Sequence, residues 1–190
     1  MSYQTYTTEA IVCGMSDSYT SDRSYLLLTE SAGMLWATAR SAREEKSKQR
    51  YALQPFSLVT VSLVKGKGGW RIGSVAALSN QYFAAESRQA RAGVVQVIRL
   101  VRRLVQGEEP IGVAYKDVAA VIQQVPELTA EQIPRLIDQF TLRFLWRLGY
   151  IPSHESYQSM LHDQEWLTDP KPLEAAAEAA VSRGLEASHL

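Results

Sequence analysis

The 190-residue chain carries one cysteine, three histidines and no net charge, and each scarcity excludes something. Cys13 alone rules out an intramolecular disulfide and any site built on several thiolate ligands. It stands in an apolar run without a basic neighbour in sequence, so it reads as a small buried side chain rather than a reactive thiolate, and a reducing cytosol suits it. His154, His162 and His189 have no recognised ligand spacing, and no metal is expected. Twenty basic and twenty acidic residues cancel, so total charge gives no case for a polyanionic partner. No stretch approaches the ~18 apolar residues of a membrane span, and residues 1–9 lack a basic segment followed by an apolar one. The expectation is a soluble, untargeted cytoplasmic protein with no membrane partner. There is no G-x-S-x-G, H-E-x-x-H, G-x-x-x-x-G-K-[ST] or G-x-G-x-x-G. Nothing demands an enzyme or a cofactor.

What is present is an apolar fraction of 46%, enough for a core, and a change of period near residue 80. Before it the pattern is that of strands: Tyr6 to Cys13, Ser24 to Thr29, Met34 to Ala39, Ser57 to Val64 and Trp70 to Leu78. Lys65-Gly66-Lys67-Gly68-Gly69 reads as a hairpin turn; it precedes a strand, not a helix, and so lacks the geometry of a phosphate-cradling loop. Five short strands in so few residues close most economically as a small barrel, of which the oligonucleotide-binding (OB) fold is the commonest.

After it the period is helical. From Arg88 to Gln106, Val94, Val97, Ile98, Leu100, Val101, Leu104 and Val105 form one face, while Arg88, Arg91, Arg99, Arg102 and Arg103 gather opposite. That arginine face extends a nucleic-acid surface, receives an acidic partner peptide, or is simply solvated. Further helices are expected from Pro110 to about Val125, from Thr129 through Leu148, from Ser156 to Leu167 and from Leu173 to Leu185. The fold class is α+β: a five-stranded OB-fold barrel over residues 1–80, then an α-helical bundle over 81–190.

Charge is unevenly spread. Residues 1–80 hold nine basic against six acidic side chains, and residues 126–190 hold five against ten. Within the front part, the stretch from Arg40 to Tyr51 has five basic residues, Arg40, Arg43, Lys46, Lys48 and Arg50, and two acidic ones, Glu44 and Glu45. It is too polar to pack and reads as a solvated loop. With Lys65, Lys67 and Arg71 on the next hairpin, and with Tyr51 and Trp70 supplying rings, it offers both requirements of single-strand binding: phosphate neutralisation and base stacking. Trp70 is the stacking candidate.

Thr8-Glu9-Ala10-Ile11-Val12, Ser21-Asp22-Arg23 leading into Leu26-Leu27-Leu28-Thr29 and Gly33, Ala39-Arg40-Ser41-Ala42-Arg43, Ala52-Leu53-Gln54-Pro55-Phe56 and Leu148-Gly149-Tyr150 occur in an order and spacing that resembles the RecO family of bacterial DNA repair and recombination mediators. The resemblance covers roughly residues 3–152. It implies an N-terminal OB-fold, a helical domain, binding of single-stranded DNA and also double-stranded DNA, and annealing of complementary strands. It also implies two protein partners, RecR and the acidic C-terminal tail of single-stranded-DNA-binding protein, and a nucleoid-associated location. Many members carry four zinc cysteines after the G-Y-x-P stretch, whereas here Ser153-His154-Glu155-Ser156-Tyr157 follows Pro152, so zinc is not expected. The acidic tail and Glu44-Glu45 suggest the alternative, a protein-interaction adaptor that keeps the fold without binding DNA.

Overall fold

The structure is a computed structural model that describes residues 5–17, 21–44 and 46–188, with the side chain of Lys48 also outside the description. Five strands, β1 (Thr5–Asp17), β2 (Arg23–Thr29), β3 (Gly33–Ala39), β4 (Ser57–Gly66) and β5 (Gly69–Asn80), close into a barrel in the order β1-β2-β3-β5-β4. This is the OB arrangement, with β3 and β5 parallel at Ala37–Trp70 and Thr38–Arg71 and every other pairing antiparallel. Strand β1 is longer than the apolar run of its sequence suggests. A bulge at Cys13 re-aims it, so that its first half pairs with β4 and its second half with β2. Alternation then sets the core: Val12, Tyr25, Leu27, Leu35, Ala37, Val59, Val61 and Leu63 point inward and are buried.

Packing divides the chain differently from a single cut at residue 80. One compact unit comprises Met1–Ala84 together with Val105–Gly112, the other Ala85–Leu104 together with Val113–Leu190. The returning segment is a strap on the barrel. Its Gly107 carbonyl accepts the Met34 N–H at 3.0 Å, filling the edge of β3 that β5 does not reach. A Cβ on Gly33 would stand 2.2 Å from the Glu109 carbonyl oxygen, and Gly33 has φ +66°. Both close approach and backbone conformation therefore require glycine there.

Two short helices were not legible in the sequence: α1 (Lys48–Ala52) and α2 (Gln81–Ala84), both in the barrel unit. The helical unit holds α3 (Arg88–Leu104), α4 (Val113–Gln124), α5 (Gln132–Arg147), α6 (Glu155–His162) and α7 (Ala175–Ala187). The approach to α5 is closed by a reciprocal pair: Thr129 Oγ1 accepts the Gln132 N–H at 3.4 Å and Gln132 Oε1 accepts the Thr129 N–H at 3.1 Å. Its other end is set by Leu148-Gly149-Tyr150. Gly149 at φ +80° lets Tyr150 N–H reach the Leu145 carbonyl at 2.9 Å and its own N–H reach that of Trp146 at 3.0 Å. Helix α6 ends at His162, short of the expected Leu167. Arg143, 7% exposed, donates through Nη1 to the carbonyls of Met160 at 3.0 Å and Asp163 at 3.3 Å. Its guanidinium also lies 4.5 Å from the Trp166 ring centroid. One carbonyl of the helix's last turn and the carbonyl just past its end are thus held by a side chain of α5.

Candidate nucleic-acid interface

The basic stretch after β3 is not the unpacked loop that its polarity suggests. Ala42 and Leu53 are fully buried and fasten its two ends into the barrel core. At the first anchor the backbone is turned by specific bonds. Asp22 Oδ1 accepts the Ser41 N–H at 2.9 Å, the Ser21 carbonyl accepts the Arg43 N–H at 3.1 Å, and Ser41 adopts φ +49°. Helix α1 is then held against the hairpin, where Gln49 Nε2 donates to the Gly73 carbonyl at 3.3 Å.

These anchors produce a cleft of about 560 Å³. One wall is Arg40, Ser41, Glu44, Lys46, Ser47 and Gln49; the other is Val64, Gly66, Arg71, Ile72 and Gly73. Arg40, Lys46 and Arg71 are exposed, and among the described residues none of the three makes an ion pair. Two guanidinium groups and one ammonium converge from segments some 30 positions apart in the sequence, over a lining that also offers hydroxyl and amide donors. Such a set suits a phosphate chain, because guanidinium forks match phosphate oxygens and both cation types displace condensed counterions. Glu44 lies in the same cleft and offsets part of this charge.

The remaining expected contacts are distributed unequally. Arg43 is exposed and its charge reaches Asp17, whose carboxyl is held below the ordinary carboxylate range chiefly by its 2.6 Å bond from Arg23 Nε. Arg50 is half-buried on α1 and is not part of the cleft lining. Lys67 is exposed at the tip of the β4–β5 hairpin, a two-residue turn closed by the Gly66–Gly69 pair. The side chain of Lys48, together with Glu45 and His189, lies outside the described residues.

Lys65 is exposed but paired: its Nζ is 2.7 Å from Glu108 Oε2 on the strap and 4.9 Å from the Trp70 ring centroid. The bond from Lys65 is the main cause that holds the Glu108 carboxyl below the usual carboxylate range. Trp70 is no stacking platform: only 8% exposed, it points into the barrel and meets Tyr6 edge-on at 5.7 Å. Tyr51 is 70% exposed on α1, and the exposed tryptophan of the barrel is Trp36, 48% exposed on β3. Strand parity was the signal for it, since Leu35, Ala37 and Ala39 all face inward.

On α3 the arginine face is only partly available. Arg91 Nε donates to the Ala85 carbonyl at 3.0 Å, and Arg103 Nη2 donates to the Leu185 carbonyl at 3.0 Å, closing the end of α7. Arg88, Arg99 and Arg102 are exposed. Of the histidines, His154 accepts the Ser156 N–H at Nδ1 at 3.2 Å and caps α6, and His162 meets Trp146 edge-on at 5.4 Å. Among the described residues no three His, Cys, Asp or Glu side chains gather as metal ligands, and no helix is long and apolar enough to cross a membrane.

Comparison with known proteins accords with this barrel. Residues 1–80 match the family model described as recombination protein O, N terminal. The barrel is therefore similar to the N-terminal domain of the RecO family. A curated relative, DNA repair protein RecO of Myxococcus xanthus (strain DK1622), is 29% identical over 154 residues. That match takes in 80% of this chain and 62% of the relative. The RecO-type barrel is thus the part of the chain that carries both the family match and the basic cleft.

Proposed function

We propose that this chain binds single-stranded DNA in the basic cleft at the mouth of its barrel and serves DNA repair and recombination by annealing complementary strands. The observation that carries the reading is the convergence of Arg40, Lys46 and Arg71 on one cleft of about 560 Å³. The name of the Myxococcus relative, a DNA repair protein, supports the same role. No bond chemistry is needed. Complementary strands repel through their phosphates, and a surface that neutralises backbone charge while leaving base edges outward lowers that repulsion. The chain acts without enzymatic turnover. Duplex DNA is a weaker second ligand, and the protein partners that come with the family resemblance are RecR and the acidic tail of single-stranded-DNA-binding protein, met in the cytoplasm at the nucleoid.

A second reading, a protein-interaction adaptor that has lost DNA binding, draws on Glu44 inside the cleft and Glu108 on Lys65, which lower the positive charge available. A strand-annealing assay with the purified chain, run beside a gel shift and a pull-down with RecR and single-stranded-DNA-binding protein, separates the two. Faster annealing and a shifted single strand are expected. Partner capture without either would favour the adaptor.

A further inference from the structure

The cleft holds cations but no aromatic ring, and single-strand binders combine cations with rings on which bases stack. Strand parity places such a ring beside it. With Leu35, Ala37 and Ala39 in the core, Trp36 and Thr38 face outward, and Arg40, next of the same parity, enters the cleft. Trp36 is 48% exposed, whereas Trp70 and Trp166 are 8% and 5% exposed. Among the described residues no hydrogen bond, ion pair or ring contact engages it. Leu26, 8% exposed, lies directly across on β2, and the next outward pair, Ser24 and Thr38, joins hydroxyls at 3.3 Å. From Trp36 to the end of the strand at Ala39 the rise is about 10 Å at about 3.3 Å per residue, a span of about three nucleotides at the stacked spacing of about 3.4 Å, and Arg40 follows in the turn.

We propose that Trp36 is the base-stacking platform for a single strand whose phosphates occupy the cleft at Arg40. This rests on the single-strand reading of the cleft and adds the chemistry of the ligand: an unpaired strand that carries bases, as opposed to any polyanion. The neighbouring cations supply the charge complementarity that selects a nucleic acid over an apolar peptide for this face. Stacking is tolerant of base identity because every base has a π-face, so the platform distinguishes unpaired from paired nucleotides and not one sequence from another.

The test uses the full chain and its W36A and W36F variants with two fluorescein-labelled oligomers of equal length, oligo-dT and a fully abasic strand with the same phosphates. The wild type should prefer oligo-dT about 5- to 150-fold, the range for one stacked base. W36A should bind both at the abasic level, and W36F should keep most of the preference. Oligo-dT should also quench wild-type tryptophan fluorescence, and W36A should lose that quenching. Equal wild-type affinity for both oligomers, or an undiminished preference in W36A, overturns the assignment while leaving the cleft intact. Absence of binding to either oligomer overturns the cleft reading itself. Loss of protein-partner capture in W36A with DNA binding unchanged assigns the ring to a protein contact instead.

Discussion

Removing the three cleft cations together, as R40A/K46A/R71A, tests the electrostatic core of the proposal. All three side chains are exposed and make no ion pair among the described residues, so the fold should tolerate their loss. For single strands each phosphate neutralised contributes about 0.7 to the slope of log affinity against log salt, so three contacts account for a slope of about 2. Between 50 and 200 mM salt, that slope corresponds to an affinity change of about 20-fold. The triple variant should therefore bind oligo-dT more weakly at low salt and show a salt plot flatter by about 2. Fluorescence anisotropy at 50, 100 and 200 mM NaCl measures both quantities, with a thermal melt of each variant as the control for folding. R88A/R99A/R102A, which removes the exposed arginines of α3 that make no hydrogen bond among the described residues, serves as the comparison. Parallel salt plots for wild type and the cleft variant would refute the reasoning. A flattened plot for the α3 variant alone would move the DNA surface to the helical unit.

Glu108→Gln releases Lys65 from its 2.7 Å pair, and the same titration should show a salt slope steeper by about 0.7 as one more cation meets a phosphate. Gly33→Ala places a methyl group against the Glu109 backbone at φ +66°; urea unfolding should show a loss of at least about 2 kcal/mol, since the left-handed conformation alone costs about 1–2. Gly68→Ala, at a position with open space around it, should change stability by less than about 0.5 kcal/mol. Arg143→Ala removes two charge-assisted bonds to carbonyls and the contact with Trp166, so it should destabilise by about 3 kcal/mol in the same experiment. Incubation with a chelator should leave the wild-type melt unchanged. In W36A the ratio of single-strand to duplex affinity should fall toward unity, measured by anisotropy with oligo-dT and a hairpin duplex.

The barrel was legible because its strands are bounded by turn residues and because β4 alternates from Val59 to Val64, down to the two-residue hairpin at Lys67-Gly68. Helix α3 was legible from its apolar stripe, all of which is buried except the half-buried Leu100. What sequence could not reveal depends on tertiary partners. Nothing local marks Val105–Gly112 as belonging with the barrel, because its attachment runs through the Met34 amide, the missing side chain of Gly33 and the ammonium of Lys65. The same strap explains the misplaced stacking residue. Trp70 and Lys65 sit in a basic, glycine-rich turn, a setting that resembles an exposed nucleic-acid contact until Glu108 and Tyr6 are seen beside them. The stretch from Arg40 to Tyr51 misled in the opposite direction. Its charge is at the surface, but Ala42 and Leu53 hold it in the core, and this anchoring gives the cations a fixed direction.

An annealing protein has to hold separate strands more strongly than the duplex that they form, and charge alone works against this, since a duplex carries more phosphate per unit length than a single strand. The acidic groups within the basic surface, Glu44 in the cleft and Glu108 on Lys65, reduce the purely electrostatic attraction common to substrate and product. Under the proposed reading, Trp36 adds an attraction that only the substrate has. When a complementary strand pairs, the stacked base is drawn into the helix and its contact with the ring ends, leaving a moderated backbone contact to retain the product. Weakened charge and an exposed ring would then be two parts of one device, which lowers the affinity for duplex more than that for the unpaired strand. The same logic explains why the acidic residues need not signal a lost DNA site: if they were absent, the surface would bind more tightly and release more slowly.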